Sequence, residues 1–366
     1  MKVGLVDLPS QYLEIKDEIN DAIHQVMVSA QFILGPTVSN LEEQIAEYSG
    51  AKYAVGVNSG TDALLLALVA HRFNPGDEII TSPFTFVATA EAIALAGLKP
   101  VFADIDPQTF NIDPEAIKRV ITPRTRAIMP VDLFGQMADR TAIIEIAEQN
   151  GLELIWDAAQ AIGGAFANKQ LGEWTGSATL SFFPTKNLGG CGDGGMILTN
   201  SESIRDGLRK YRFHGSGGGY VYDRVGYCSR LDALQAAIIA VKLPHLESWN
   251  NARRRNADLY YSRLKSANVL LPFCDPRAHH IYHQYTVRSN HRDALKLHLK
   301  SRGVDTGIYY PLALHLQKAY ESLDYKPGAF PHAENATQTV LSIPIHPGLT
   351  EEQVHYVADS ICEFSP

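Results

Sequence analysis

The chain has 366 residues, of which 45% are hydrophobic and 20% are charged, and its formal net charge is -8. This length and composition are typical of a globular protein with two or three domain-sized units. The net negative charge argues against a general nucleic-acid or membrane-surface binder, and no run of about 18 apolar residues is present to span a bilayer.

The N-terminal segment and the cysteines indicate the cellular compartment. The segment lacks the apolar core of a signal peptide, so we expect a cytoplasmic protein. The four cysteines show no CxxC spacing, which predicts neither a metal site nor a disulfide framework. They are Cys191, Cys228, Cys274 and Cys362.

Short apolar runs alternate with helical patterns from residue 52 to residue 199. Upstream, Ser39 followed by Glu42 predicts a capping box that begins a helix ending at Tyr48. The alternation predicts an α/β fold whose mainly parallel, seven-stranded sheet is covered by helices. The predicted strands are Tyr53–Val57, Glu78–Thr81, Pro100–Asp104, Ala127–Val131, Glu153–Trp156, Ala178–Phe183 and Met196–Leu198, and the helices are Asp62–Ala70, Val87–Ala96, Pro114–Val120 and Thr141–Asn150.

The pattern changes after residue 229. A polar helical stretch from Leu231 to Lys265 contains Pro244, which predicts a bend or break there. His283–Arg288 is typical of a strand, and Arg292–Arg302 of a helix. We therefore expect a large domain over residues 1–245 and a smaller α+β domain over residues 246–366.

Chemically distinctive residues follow the predicted strands. The turn Ser59–Thr61 follows the first strand, Phe86 the second and Asp157 the strand LELIW, while Ser181 and Lys186 lie at the end of ATLSFF. Open parallel sheets bind ligands at the carboxyl ends of their strands. One pocket is therefore expected to gather these residues.

Each of these positions has a structural and a functional interpretation. The glycine-containing turn at residues 58–62 suits a phosphate at a helix N-terminus, or simple capping by Ser59 or Thr61. Asp157 is suited either to a salt bridge with the nitrogen of a bound pyridine ring or to capping the turn that follows its strand. Lys186 lies in a glycine-rich loop after an apolar strand, where desolvation favours a Schiff-base lysine over a surface lysine.

Together, these segments resemble the DegT/StrS family of sugar aminotransferases, which are fold-type I pyridoxal phosphate enzymes. The resemblance extends from about Val6 to Pro344 and includes Tyr310 and Pro311. Its main blocks are NSGTDALLLAL, FTFVATAEAI, PVFADIDPQTFNID, DAAQAIG, SFFPTKNLGGCGDGGM and SRLDALQAAI.

The resemblance implies a role for each matching residue. Lys186 would hold pyridoxal 5'-phosphate as a Schiff base and shuttle protons, with pyridoxamine 5'-phosphate as the intermediate cofactor form. Asp157 would pair with the pyridine nitrogen, and Gln160 would lie near the phenolic oxygen. The implied phosphate ligands are Gly60, Thr61 and Ser181. The aromatic residue implied to pack on the cofactor ring is Phe86.

The sequence departs from the family at two positions. Cys228 stands where members often have an Asn that reaches the cofactor phosphate of the partner subunit, and a thiol is a weaker donor than an amide. Ser229 or water would serve instead, and Arg230 would either cross the dimer interface or form an internal salt bridge. Tyr309 replaces a frequent His. The resemblance implies that it contacts substrate, as do Tyr310, His315 and Arg230.

The implied protein is a homodimer with shared active sites. It would convert a nucleotide-linked keto-sugar to an amino-sugar, with glutamate as donor and 2-oxoglutarate as product. Three alternatives remain: a cyclitol (inosose) aminotransferase, a cofactor-dependent sugar dehydratase, and a regulatory protein without catalysis. Dehydratase relatives typically carry His at the lysine position, so Lys186 favours a transaminase.

Overall fold

The computed structural model describes residues 1–365. Its helices are α1 (Leu8–Glu14), α2 (Lys16–Ser29), α3 (Pro36–Ser49), α4 (Gly60–His71), α5 (Ala88–Leu95), α6 (Pro114–Val120), α7 (Arg140–Asn150), α8 (Glu202–Tyr211), α9 (Ala233–Lys242), α10 (Leu246–Leu264), α11 (Arg292–Ser301), α12 (Pro331–Thr339) and α13 (Glu351–Cys362). Its strands are β1 (Tyr53–Val57), β2 (Glu78–Thr81), β3 (Lys99–Phe102), β4 (Thr125–Met129), β5 (Glu153–Asp157), β6 (Ala165–Phe166), β7 (Lys169–Gln170), β8 (Ser177–Ser181), β9 (Gly195–Thr199), β10 (Ser216–Gly218), β11 (Val221–Tyr222), β12 (Ala278–His279), β13 (Tyr285–Arg288) and β14 (Val340–Ile343). Within this range, no helix has both the length and the apolar composition needed to cross a membrane.

A seven-stranded sheet organises the first two thirds of the chain. Its strand order is β1-β9-β8-β5-β4-β2-β3. All neighbours from β8 to β3 are parallel, and β9 is antiparallel to both β8 and β1. The prediction of a mainly parallel, seven-stranded α/β sheet is therefore confirmed.

Both faces of the sheet are buried by helices. Successive strand residues point to opposite faces, so Ile79 lies in one hydrophobic cluster and Ile80 in the other. Residues of α4, α5 and α8 cover the first face, and residues of α3, α6, α7 and α9 cover the second. The strands consequently consist of continuous apolar runs, which is typical of parallel sheets covered on both sides.

The predicted capping box at Ser39 and Glu42 is wrong. Helix α3 begins earlier, at Pro36, after Gly35 in a positive-φ conformation (φ 84°). Proline suits the first turn of a helix because its fixed φ is helical and it has no N–H to satisfy. Glu42 instead accepts a hydrogen bond from the Gly56 N–H at 2.8 Å and forms a buried ion pair with Arg212.

The C-terminal part of the chain packs around its own core. The predicted break at Pro244 is confirmed, since a 3-10 turn at Leu243–His245 separates α9 from α10. The antiparallel pair β13–β14 packs with α10, α11 and α13, and Val3 from the N-terminus joins this cluster. The division between residues 245 and 246 stays a prediction, which this separate cluster supports.

A buried ion pair next to Trp156 of β5 is expected to stabilise the fold. Arg140 and Asp132 are both fully buried, with Nη2 and Oδ2 2.5 Å apart, and the guanidinium lies 3.6 Å from the centre of the Trp156 ring. Arg140→Met leaves the Asp132 carboxylate without its cation, so we expect a loss of about 3–5 kcal/mol in the free energy of unfolding. Urea denaturation measures this loss.

The matched control for this prediction breaks an exposed ion pair. Arg263 and Asp359 are each nearly half exposed, and solvent-exposed pairs contribute about 0–1 kcal/mol. Arg263→Met is therefore expected to change the unfolding free energy little. If Arg140→Met cost no more than Arg263→Met, the buried pair would not have the importance assigned to it.

Candidate active site

A cavity of about 730 Å³ lies at the carboxyl edge of the sheet. It is bordered by residues that follow β1, β2, β4, β5 and β8, as expected for ligand sites of parallel sheets. The sequence-predicted residues that line it are Gly60, Thr61, Phe86, Asp157, Gln160, Ser181, Lys186, Tyr309 and Tyr310. The cavity therefore lies where the carboxyl ends of the strands meet, and the C-terminal segment contributes Tyr309 and Tyr310.

The turn between β1 and α4 forms one end of the cavity. Ser59 caps α4, since its Oγ accepts a hydrogen bond from the Asp62 N–H at 3.1 Å. The first N–H groups of a helix have no intrahelical partner and carry the positive end of the helix dipole. Gly60 lies directly against Ser181, because a Cβ placed on Gly60 would stand 2.7 Å from the Ser181 Cβ. The turn thus caps the helix and also offers a cradle for an anion.

Substitution of Gly60 tests this cradle. In Gly60→Ala, the new Cβ forces the turn away from Ser181, so N–H groups that face the cavity lose their alignment with a bound phosphate. Loss of one charge-assisted hydrogen bond corresponds to about tenfold or more in affinity. We therefore expect the dissociation constant for pyridoxal phosphate to rise at least about tenfold, measured by absorbance titration of the apo-protein.

Gly207→Ala is the control for this prediction. Gly207 lies in α8, and a Cβ there would meet only ordinary contacts, the nearest at 3.9 Å. Its cofactor affinity should equal that of the wild type. Equal affinity in Gly60→Ala would show that the turn does not hold the phosphate.

Asp157 is a buried carboxylate at the end of β5. Its Oδ2 accepts a hydrogen bond from Thr89 Oγ1 at 2.7 Å, and its Oδ1 accepts one from the Ala159 N–H at 3.2 Å. Burial raises the pKa of Asp157, and these hydrogen bonds and the Lys186 charge only partly oppose the rise. The carboxylate therefore needs a cationic partner in the cavity to remain ionised.

Thr89 is a further residue of the site, which the sequence did not point to. It lies in α5, and its Oγ1 is 3.1 Å from that of Thr85, so two hydroxyls support one carboxylate. The block FTFVATAEAI contained both threonines, but only the fold shows that α5 turns Thr89 towards β5. No spacing along the chain gives that contact.

Lys186 lies in the loop between β8 and β9. Its backbone N–H donates to the Phe183 carbonyl at 2.8 Å, which forms a tight turn just after the strand. Burial lowers the pKa of Lys186 to about 8, and the Asp157 charge opposes this shift. A substantial fraction of the amine is therefore neutral near physiological pH, which is the form that attacks a carbonyl carbon.

Gln160 and the aromatic residues form the walls between these groups. Gln160 Oε1 accepts a hydrogen bond from the Phe134 N–H at 2.7 Å, and its Nε2 donates to Tyr310 Oη at 3.2 Å. The Phe86 ring is 6.3 Å from the Tyr310 ring and is 55% exposed within the open cavity. An aromatic surface of this kind can pack on a flat ring.

His283 also lines the cavity, and the sequence analysis placed it only in a strand. Asn250 donates to the Ile162 carbonyl, so its Oδ1 accepts from Asn187 Nδ2 at 2.7 Å. Asn187 Oδ1, an acceptor, is 3.0 Å from His283 Nδ1, which must therefore carry the hydrogen. Burial, with the charges of Lys186 and Arg253, holds the pKa of His283 well below its usual range. The neutral ring thus has Nε2 as a hydrogen-bond acceptor.

Four predicted residues lie outside the large cavity. Arg230 Nη2 donates to Cys228 Sγ at 2.9 Å, and Ser229 Oγ donates to Asn58 Oδ1 at 3.4 Å. Arg230 lines a smaller cleft of about 200 Å³ beside Asp193. His315 lies in a buried aromatic cluster, 4.8 Å from the Phe330 ring, with Nε2 3.1 Å from Glu334. A structural contact accounts for His315, so we do not carry its substrate role forward.

The comparisons with known proteins agree with this arrangement. The model of the DegT/DnrJ/EryC1/StrS aminotransferase family matches residues 13–362. The chain is 50% identical to a pleiotropic regulatory protein of Geobacillus stearothermophilus, over 100% of this chain and 99% of that protein. It is 42% identical to a UDP-N-acetyl-3-dehydro-alpha-D-glucosamine 3-aminotransferase of Acidithiobacillus ferrooxidans, over 98% of this chain and 97% of that one. The crystal structure of Bacillus subtilis NtdA with bound cofactor PMP superposes with a TM-score of 0.90, at 32% identity over 98% of this chain and 84% of that chain.

Fold and site together define a pyridoxal phosphate-dependent aminotransferase. The chain belongs to the DegT/DnrJ/EryC1/StrS aminotransferase family. The residues present fit the cofactor, which carries an anionic phosphate, a basic ring nitrogen and an aldehyde. The glycine turn at α4, the buried Asp157 carboxylate and the Lys186 amine each offer a complementary group in one cavity.

Proposed function

We propose that this aminotransferase converts a ketone on a nucleotide-linked sugar to an amine, with glutamate as the amino donor. The observation that carries the proposal is that Lys186, an amine with a lowered pKa, and Asp157, a buried carboxylate, line one cavity. The name of the Acidithiobacillus relative supports a UDP-linked keto-sugar as the substrate class.

The residues of this chain have distinct tasks in the proposed reaction. Pyridoxal phosphate, when bound, supplies an electron-withdrawing ring and a carbon that carries the amino group between two substrates. Lys186 would be the residue that holds the cofactor through its amine, and the same amine would move protons at the reacting carbons. Asp157 keeps the ring nitrogen protonated, with Thr89 orienting the carboxylate.

Phe86, Gln160 and Tyr310 hold the ring in the proposed complex. Phe86 would pack against the ring, and Gln160, which donates a hydrogen bond to Tyr310, would hold the ring with its amide. Tyr309, which lines the same cavity, would contact the sugar. The neutral His283 ring can accept a hydrogen bond at Nε2 from a group bound in the cavity.

The charge of the cavity supports a homodimer with shared active sites. Among the described residues that line it, Lys186 is the one lysine, and there is no arginine. A nucleotide diphosphate requires further cations. Arg230 lies on a neighbouring loop with Cys228 and Ser229, and the corresponding loop of a partner subunit supplies the missing charge.

All four cysteines are exposed and unpaired, which is in keeping with a cytoplasmic enzyme.

The alternatives differ in testable ways. A cyclitol aminotransferase uses the same cofactor chemistry but accepts inosose instead of a nucleotide sugar. A dehydratase does not need the lysine, and Lys186 argues against it. The Geobacillus relative is named as a regulatory protein, but a scaffold has no use for a buried amine and carboxylate facing one cavity.

The test is the reverse reaction. Purified protein is incubated with pyridoxal phosphate, 2-oxoglutarate and UDP-linked amino-sugars, with an amino-cyclitol in parallel, and glutamate formation is measured. Glutamate formed with the nucleotide sugars supports the proposal. If glutamate forms only with the amino-cyclitol, the protein is a cyclitol aminotransferase that accepts inosose. If no glutamate forms with any of these amino compounds, the proposed function is contradicted.

A further inference from the structure

A second cavity, of about 310 Å³, shares Thr185 and Lys186 with the large cavity. Its other walls come from the residues around α1, from α10 and from the loop after β14. Besides Lys186, three of its lining residues are basic: Arg253, Arg255 and His346. Nothing in the proposed reaction so far uses this space, although it reaches the reactive lysine.

Arg253 is a buried cation without a counter-ion. Its relative exposure is 8%, and its Nη1 makes one long hydrogen bond, at 3.4 Å, to the Tyr282 carbonyl. Its Nε has no partner, and no carboxylate of residues 1–365 lies within ion-pair distance. Burial lowers the pKa of Arg253 to about 10, so the guanidinium remains charged at neutral pH.

The acidic residues of this cavity do not compensate Arg253. Asp7 Oδ1 accepts a hydrogen bond from the Ser10 N–H at 3.1 Å, and the Glu14 side chain is exposed. Burial lowers the pKa of His346 to about 4, so this ring is neutral and adds no competing charge. A buried charge left unpaired is strongly unfavourable, and an anionic ligand would remove that cost.

The size and shape of the site indicate the class of anion. The volume is at the lower end of the roughly 300–1,000 Å³ found for ligand pockets, which suits a small acid rather than a nucleotide sugar. The planar guanidinium fork matches a carboxylate. We propose that this cavity binds a carboxylate of the dicarboxylic amino donor through Arg253. The proposal rests on the proposed function, because it assigns the donor of that reaction a place beside Lys186.

The experiment separates the two half-reactions. In Arg253→Gln, the glutamate concentration needed for half-maximal conversion of the cofactor to its amino form should rise about 10- to 100-fold, as expected when a charge-assisted bidentate contact is lost. The half-reaction with the sugar nucleotide should change less than about threefold. Arg254→Gln is the matched control, since Arg254 lies on α10 and pairs with Glu247 outside this cavity.

Equilibrium binding gives a readout that is independent of turnover. Glutarate is an unreactive dicarboxylate, and calorimetry should show that it binds the wild type and Arg254→Gln at least about tenfold more tightly than Arg253→Gln. UDP binding should be the same in all three proteins. Equal glutarate affinity in Arg253→Gln, or a loss of UDP binding instead, would overturn the proposal.

Arg253→Lys decides the matter if Arg253→Gln does not fold. It keeps the charge but not the planar fork, so a rise of about tenfold in the glutamate requirement supports the proposal and an unchanged value overturns it. If the wild type transfers no amine from glutamate, the proposed function fails, whereas the glutarate titration still supports or overturns the Arg253 site.

Discussion

Lys186→Ala is expected to abolish turnover. In the proposed reaction, Lys186 is the amine that attaches the cofactor and moves the proton in both half-reactions, and no other lysine lines the large cavity among the described residues. The variant should also lose the long-wavelength absorbance that a lysine-bound cofactor gives. Steady-state assay and absorbance spectra of the purified variant measure both effects.

The pH dependence of cofactor capture extends this prediction. Burial lowers the pKa of Lys186 to about 8, and the neutral amine is the nucleophile. The rate at which the apo-protein captures pyridoxal phosphate should therefore rise as pH increases from 7 to 9 and level off above the pKa.

Lys300→Ala is the matched control, because Lys300 is an exposed residue at the end of α11. This variant should retain the spectrum, the activity and the pH profile of the wild type. Normal turnover in Lys186→Ala would exclude the assigned role. Capture that did not depend on pH between 7 and 9 would contradict the lowered pKa.

Asp157→Ala should slow the reaction while leaving much of the cofactor bound. In the proposed reaction, the carboxylate stabilises the positive ring nitrogen, and removal of one preorganised electrostatic group from an active site costs about 10²–10³-fold in kcat. The turn at Gly60 and the Lys186 side chain both remain in this variant, so the cofactor affinity should fall much less than the rate. Pre-steady-state measurement of each half-reaction checks both steps.

Asp193→Ala provides the comparison for Asp157→Ala. Asp193 is also a carboxylate that lines the large cavity, but it is exposed and has no hydrogen-bonded support comparable to that from Thr89. Its rate should remain within about tenfold of the wild type. Similar losses in the two variants would indicate a general effect of negative charge, and unaffected turnover in Asp157→Ala would contradict the ring-nitrogen role.

The sheet could be predicted from sequence because its strands are short, apolar and separated by helices. The predicted strands Tyr53–Val57 and Glu78–Thr81 have the observed bounds, and the strand at β3 differs by one or two residues at its ends. Once the sheet is parallel, its carboxyl edge collects the residues after each strand. Asp157 and Lys186 therefore line one cavity, although they are 29 residues apart in the sequence.

Contacts between distant segments could not be predicted in this way. The position of Glu42 after Ser39 is compatible with a capping box at the start of α3. In the fold, however, α3 and α8 pack against β1, and Glu42 therefore contacts Gly56 and Arg212. His315 was close in sequence to Tyr310, yet a 3-10 turn directs it into the aromatic cluster around Phe330. Such outcomes depend on packing, which a local pattern does not encode.

The same limit applies to residues that support the site. Thr89 acts through Asp157, and His283 is held by Asn187 and Asn250, so each depends on side chains far away in sequence. Arg253 was one of several arginines in a polar helix. Its lack of a counter-ion becomes visible only when the surrounding residues are in place.

Borohydride reduction of the cofactor-loaded protein identifies the lysine that carries pyridoxal phosphate. Reduction converts a Schiff base to a stable secondary amine, so the lysine that carries the cofactor can be identified by mass spectrometry of peptides. We expect a pyridoxyl group on Lys186 in the wild type, and none at this position when glutamate is added before reduction. A modified lysine elsewhere, with Lys186 unmodified, would exclude Lys186 as the residue that carries the cofactor.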